Sequence, residues 1–304
     1  MSTLSTAAVI VHWRDPNETL GCLAAMRDVP DLRPIVVDNG GTPPIASRVT
    51  AVRPDAQVVR NERNLGYAGG ANTGIRAALA SSADLVLLLN DDVRVEPPAF
   101  AAARAVLDGD PRIAVVGPKV RLRDDPRRLW LAWGDVTYGQ SLVALHGADA
   151  LDGPAWSIQR DVDWIGGCAM WMRAAALRAC GLFDEEFFAY HEEVDWCTRV
   201  RHAGWRVVYA PSVTVRHGGR GSGGNPASVR IRKYFTARNS ILFARKHASL
   251  RERCKLGASL GVSLPLQALW HLPRGGAGDV LLKLRGVRDG LTGRRPPFTA
   301  LGLD

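Results

Sequence analysis

Leu85-Val86-Leu87-Leu88-Leu89 runs directly into Asn90-Asp91-Asp92, and this stretch decides how the chain is read. Five consecutive apolar residues closed by a polar cluster predict a short strand buried on both faces. Asn90, Asp91 and Asp92 then fall at the carboxyl end of that strand, where open α/β sheets bind their ligands. Adjacent carboxylates there repel each other and lose hydration, so a divalent cation would stabilise them. A solvated turn before a helix accounts for the same residues, because Pro97-Pro98 follow and proline suits a first helical turn. The stretch alone leaves both readings open.

Outward from it, residues 7–12, 34–37 and 57–60 read as further strands, and 17–26 carries apolar residues at helical spacing. Asp38-Asn39-Gly40-Gly41 ends the second strand as a turn. Residues 64–72 read as a Gly-rich turn and 73–80 as the helix after it. Strand and helix alternating at this spacing predict a mostly parallel sheet of βαβ units. Downstream, 114–116 and 119–122 read as short strands, and 124–160 shows no period and reads as a long loop over the site. Helices are expected over 173–180 and 192–202, stopped by Gly181 and Gly204. Strands follow at 205–209 and 213–216, then a flexible loop at 218–224 with five glycines in seven residues, and a helix over 229–247.

The bulk composition narrows the classes. At 304 residues, 46% hydrophobic and 23% charged, the chain suits a globular protein with one large core. Five scattered cysteines without a CxxC pair argue against a disulfide framework or zinc knuckle and for a reducing compartment. No basic segment followed by an apolar stretch opens the sequence, so no secretory signal is expected. The apolar tract over 258–272 is short, holds Pro265 and His271, and does not read as a membrane span. The net charge of +9 is uneven: residues 229–304 hold 15 Lys and Arg against 4 Asp and Glu, whereas residues 1–228 hold 24 against 26. Such a basic tail suits nucleic acid, anionic lipid or a phosphorylated substrate, and equally a solvated helical face.

Three constellations could carry chemistry. Gly66, Gly69, Gly70 and Gly74 do not form the G-x-G-x-x-G fingerprint, but glycines there would let backbone approach a phosphorylated ligand or a neighbouring element. Glu192, Glu193 and Asp195 are flanked by Phe187, Phe188, Tyr190 and Trp196. An apolar wall raises a carboxylate's pKa toward that of a general base, and helix-end acids also serve the macrodipole. His217, at a strand end, could complete a cation site with Asp92, neutral imidazole suiting Mn²⁺ or a similar ion. Arg220, Arg232, Lys233 and Arg238 would then be available to neutralise a diphosphate.

Together these residues resemble glycosyltransferase family 2. The resemblance is carried by Ala8-Val-Ile-Val-His-Trp13, Val36-Val-Asp-Asn39, Asn64-Leu-Gly-Tyr-Ala-Gly-Gly-Ala-Asn-Thr-Gly74 and Leu88-Leu-Asn-Asp-Asp-Val93. Gly166-Gly-Cys-Ala-Met-Trp-Met-Arg173, Gly181-Leu-Phe-Asp-Glu-Glu-Phe-Phe188, Glu192-Glu-Val-Asp195 and His217 continue it in order, over about residues 7–247. The nearest branch is rhamnosyltransferase-like. The resemblance implies an α/β GT-A fold: a mostly parallel central sheet flanked by helices, with a C-terminal helical basic extension. Residues 1–247 would form the GT-A domain, about 1–122 its nucleotide-sugar half and about 123–247 its acceptor half, with 248–304 as the tail.

The family's roles carry over as expectations. Trp13, Asp38, Asn64, Asn90 and Asp91 would contact the donor nucleotide, and Asp92 and His217 would hold Mn²⁺ or Mg²⁺. Asn90 stands where the family's D-x-D-type motif begins with Asp. Trp164, Glu192 and Asp195 would face the acceptor or sugar. Glu193 matches the catalytic aspartate but is one methylene longer, so its backbone must be set back or the acceptor shifted; Glu192 and Asp195 are the alternatives. The implied reaction is inverting transfer from a dTDP- or UDP-sugar, with dTDP-rhamnose leading. The acceptor would be a glycan, a lipid-linked species or a small molecule. The enzyme would be cytoplasmic or peripheral at the inner membrane face, its basic tail meeting anionic lipid. Sugar-phosphate nucleotidyltransferases share the early pattern but usually carry a Gly-rich basic motif near the N-terminus, which residues 8–14 lack. A non-catalytic nucleotide-sugar-binding protein would bind donor without turnover. Nucleic acid is not expected, since no RNA- or DNA-binding pattern accompanies the tail.

Overall fold

A computed structural model describes residues 5–139, 141–218, 226–271 and 277–303. The first half alternates as its patterning requires: β1 (Thr6–His12), α1 (Pro16–Ala25), β2 (Leu32–Asn39), α2 (Ala46–Val52), β3 (Gln57–Asn61), α3 (Gly66–Ala80) and β4 (Leu85–Asn90). Asp15 caps α1, its carboxylate accepting from the Asn17 amide at 2.9 Å, and Pro16 supplies the first turn. The β3-β2-β1-β4 half of the sheet is parallel. Leu85 to Leu89 are all buried, β4 lying between β1 and the antiparallel β11 (Ala169–Arg173). The apolar run is indeed a central strand covered on both faces.

The second half adds β5 (Val93–Arg94), α4 (Pro97–Gly109) and β6 (Ile113–Leu122). After them come β7 (Leu129–Leu131), β8 (Trp133–Val136), β9 (Val143–His146) and β10 (Arg160–Asp161). Beyond β11 lie α5 (Ala174–Cys180), α6 (Glu192–His202) and β12 (Arg206–His217). The ten-stranded sheet runs β10-β12-β6-β11-β4-β1-β2-β3, with β5 on β12 and β7 on β6. It is mixed, but its two longest ladders, β6/β12 and β1/β2, are parallel.

Four expectations change. The Gly-rich segment is helical from Gly66, because α3 presses on the sheet where only hydrogen fits: a Cβ on Gly74 would lie 2.2 Å from Val9 Cγ1. Residues 113–122 form one strand, passing through Pro118 where β12 bulges between Ala210 and Thr214. The two strands expected over 205–216 are likewise the single bulged β12. Residues 124–160 hold β7 and the β8–β9 hairpin rather than one loop; strands of three and four residues are too short to display a period.

The C-terminal quarter is helical: α7 (Pro226–His247), α8 (Leu250–His271), α9 (Ala277–Thr292) and α10 (Phe298–Leu301). The backbones of Gly286 and Gly290 sit against α7, where Tyr234 donates its hydroxyl to Asp289 at 2.9 Å. Leu301 and Leu303 are buried with Phe188, Tyr234 and Phe235, and Arg14 donates to the Gly302 carbonyl at 2.8 Å. No helix among the described residues is long and apolar enough to cross a membrane.

Candidate active site

The end of β4 divides three polar side chains among different neighbours. Asn90 keeps its Oδ1 buried without a hydrogen-bond partner. Asp91 turns toward β1, accepting from the Trp13 amide and lying 3.9 Å from His12 Nδ1. Burial first, and the Asp92 charge second, push Asp91 up to about 7. Asp92 faces the other way. Its Oδ1 lies 3.4 Å from His217 Nε2, and its carbonyl accepts from the Gly218 amide at 3.0 Å. The short β5 explains the meeting: Val93 pairs with His217 across an antiparallel bridge, so the residue before β5 and the last residue of β12 come together.

Trp130 of β7 stacks on His217, with centroids 4.3 Å apart and planes 13° from parallel. Burial lowers the His217 pKa, which favours the neutral imidazole. A half-buried carboxylate beside a neutral imidazole suits a divalent first-row cation. No cluster of three or more metal-type side chains forms among the described residues, so the protein would offer the ion two ligands and leave the rest to substrate and water. Arg123 approaches the same corner, clamped by Glu18 at 2.6 and 2.7 Å, and Glu18 also holds Arg94 at 2.6 Å.

Of the four cations expected from sequence, two are engaged elsewhere in the fold. Lys233 is ion-paired with Asp279, and buried Arg238 donates to the Glu186 carbonyl at 2.9 Å. Both are committed to holding helices. Arg232 is exposed on α7, and Arg220 lies outside the described residues, as does all of the expected glycine loop beyond Gly218.

The second acidic cluster opens α6. Glu192 and Glu193 are both buried from solvent at their Oε2 atoms, and neither Oε2 has a hydrogen-bond partner. Burial raises both carboxyls: Glu193 to about 7, opposed by the amides of Glu193, His191 and Val194, and Glu192, with the Glu193 charge adding, well above its ordinary value. Glu193 lies beside Gly167, where an added Cβ would sit 3.6 Å from Glu193 Cβ, an ordinary contact distance. Tyr67 donates to the Gly167 carbonyl at 2.6 Å, and its pKa is raised first by burial and then by the charges of Glu192, Glu193 and Asp91, among others. The β4 end and the α6 start thus face one site.

Asp195 is 1% exposed, and its oxygens take Arg199 at 2.8 Å and His247 at 2.7 Å, an internal brace between α6 and α7. Trp164 is buried with its indole across Gly134, a wall of the β8–β9 hairpin rather than an open platform.

The turn before α6 is held in an unusual conformation. Phe188, Tyr190 and His191 have φ of 63°, 68° and 73°, a region that costs non-glycine residues energy. Asn239, fully buried on α7, donates to the carbonyls of Phe187, Ala189 and Tyr190 at 2.9, 2.8 and 2.7 Å. The sequence reading missed Asn239, Trp130, Tyr67 and His12, each a single residue in an otherwise ordinary element.

At the end of β2, Asp38 is buried and accepts from the Gly41 and Ile45 amides at 2.9 and 3.3 Å and from Arg60 at 2.6 Å. Asn64 accepts from the Gly66 amide at 2.9 Å and donates to the Leu303 carbonyl at 3.3 Å. Trp13 carries the Arg14 guanidinium 3.9 Å above its ring. Trp13 and Asn64 therefore both lie beside the returning C-terminal residues.

A family model described as glycosyltransferase-like family 2 matches residues 6–240. The chain is 29% identical over 247 residues to an N-acetylglucosaminyl-diphospho-decaprenol L-rhamnosyltransferase of Mycobacterium tuberculosis, covering 72% of this chain and 78% of that one. It is 32% identical over 213 residues to the galactofuranosyltransferase GlfT1 of the same organism, covering 66% of each. Among solved structures, a mannosyltransferase of Pyrobaculum calidifontis in complex with GDP-Man and Mn²⁺ aligns with a TM-score of 0.59 at 16% identity, over 95% of this chain and 88% of that one. TarS of S. aureus aligns at 0.52 and 15% identity, over 95% and 92%. At such identities these structures show the fold alone, a GT-A fold.

Proposed function

The chain belongs to glycosyltransferase-like family 2, and we propose that this glycosyltransferase is an inverting enzyme in which Glu193 is the base and Asp92 and His217 hold a divalent ion. The observation that carries the reading is Glu193, a buried carboxylate with an unpartnered oxygen, raised to about 7 and set opposite the β4 acids. A base near neutral pKa takes a hydroxyl proton efficiently at neutral pH.

Glu193 Oε2 receives the proton of an acceptor hydroxyl as that oxygen attacks the anomeric carbon, and a single displacement inverts its configuration. Glu192 keeps its own proton and serves as a donor to the sugar or acceptor. Asn90 Oδ1 and Asp91 address the sugar-nucleotide, while Trp13, Asp38 and Asn64 shape the nucleoside pocket. Mn²⁺ or Mg²⁺, when bound by Asp92 and His217, supplies positive charge against the donor diphosphate. Arg123, steered by Glu18, adds a fixed cation at the same corner.

A dTDP- or UDP-sugar is the proposed donor, dTDP-rhamnose first, in cell-surface glycan synthesis. The name of the rhamnosyltransferase relative supports both this and a lipid-linked acceptor. The protein would meet that acceptor peripherally, at an anionic membrane surface. A thermal-shift screen of nucleotide sugars with Mn²⁺ or Mg²⁺ identifies the donor by linkage. Glu193→Gln should then cut transfer by about 10²–10⁴-fold while donor stabilisation persists. Wild-type turnover in that variant would sink the assignment.

A further inference from the structure

Among the described residues, eight of the eleven large hydrophobic side chains most open to solvent lie between Leu250 and Leu291. They are not scattered. Val262, Leu266 and Leu269 recur at helical spacing along one face of α8, with exposed Trp270 beside them. Leu281, Leu284 and Leu291 do the same on α9. The two helices pack together, Lys283 donating to Gln267 across their contact. The first half of α8 is anchored to the body by buried Leu256 and by Lys255 on the Thr137 carbonyl at 2.7 Å. Its second half carries the apolar stripe outward.

The charges around this stripe have one sign outward. Arg251, Arg285, Arg288, Arg294 and Arg295 are exposed. The three described acids of these helices are spent elsewhere. Glu252 takes the Ser249 amide and hydroxyl, Asp279 pairs with Lys233, and Asp289, 2% exposed, accepts from Tyr234 and pairs with Arg285 and Arg288, so Arg251, Arg294 and Arg295 carry the outward charge. An apolar ridge with a basic rim is what an anionic lipid interface recognises: side chains enter the acyl boundary and guanidinium groups meet phosphates. A second copy of the chain fits worse, since a two-fold contact would set arginine rim against arginine rim.

We propose that the outer face of α8 and α9, centred on Val262, Leu266, Leu269, Leu281 and Leu284, is the surface that docks on an anionic membrane. The inference deepens the membrane part of the proposed function and rests on it.

Flotation with vesicles of phosphatidylcholine, alone or mixed with phosphatidylglycerol, tests it. The full chain should float only with the anionic vesicles, and less as salt rises. Leu266→Glu with Leu269→Glu should lower that partitioning by about tenfold or more, with unfolding midpoint and slow donor hydrolysis unchanged. If the variant floats as well as the wild type, this face is wrong although membrane contact stands. If the wild type floats with neither vesicle, both membrane claims fall, and donor hydrolysis still reports separately on glycosyl transfer. A wild-type dimer that the substitutions disperse, without flotation, would assign the face to a second copy and overturn the proposal.

Discussion

The side-chain nitrogen of Asn239 lies 2.7 Å from the Tyr190 carbonyl, joining α7 to the left-handed turn that starts α6. Glu192 and Glu193 follow that turn immediately, so a residue far from the chemistry sets where both carboxylates point. Asn239→Ala leaves the Phe187, Ala189 and Tyr190 carbonyls without their donor, a loss of about 1–3 kcal/mol. Transfer should fall by roughly 10²-fold through misplacement of Glu193. Donor-induced thermal stabilisation should persist, because Asn239 touches none of the residues proposed to hold the nucleotide. Chemical unfolding and kcat measured on one preparation separate the two effects.

The raised carboxyls make a signed pH prediction. As a base, Glu193 works deprotonated, so kcat/KM should climb through about pH 7 and level off above it. Stability runs the opposite way. A carboxyl raised from 4.5 stabilises the fold fully below pH 4.5, and that contribution fades as pH rises through its folded value. Glu192→Gln removes one such group. Its unfolding free energy, relative to wild type, should improve on going from pH 5 to pH 8. A difference that shrinks over that interval would contradict burial as the cause.

The fold was legible where burial writes a run or a period into the chain. Leu85–Leu89 announced the central strand because both its faces are covered, and Glu192–His202 was bounded by its acids and Gly204. Gly66–Gly74 was misread because glycine signals a turn locally, whereas here it marks a helix pressed on β1 and β2. The acids of the site could be picked out because adjacent carboxylates at a strand end demand an explanation. Trp130, Tyr67 and Asn239 could not, since their roles arise from β6/β7 pairing, the Gly167 turn and α7 packing, none of which leaves a local trace.

Trp130 fixes the plane of His217, and supporting groups of this kind typically change metal affinity 10–100-fold. Titration calorimetry with Mn²⁺ and a nucleoside diphosphate should show near loss of metal binding in Asp92→Asn and His217→Ala. Trp130→Ala should fall between these and wild type. Equal Mn²⁺ affinity in all four proteins would remove the ion from this corner.

Gly74 gives a prediction whose sign separates packing from propensity. Alanine is favoured over glycine inside a helix by about 1 kcal/mol, so propensity alone expects Gly74→Ala to stabilise α3. The structure expects the reverse. An added Cβ would lie 2.2 Å from Val9 Cγ1 and 2.9 Å from Val37 Cγ2, and both valines are held in the β1/β2 ladder. The helix must lift or the valines must leave their rotamers, at a cost of about 1–3 kcal/mol. Because α3 carries Tyr67 and begins beside Asn64, lifting it should also weaken donor binding, visible as a smaller thermal shift with nucleotide sugar. Gly109, whose added Cβ would meet nothing within 4 Å, is the control. Gly109→Ala should leave both readouts unchanged or slightly improved, and a stabilising Gly74→Ala would show that α3 does not rest on the sheet as closely as described.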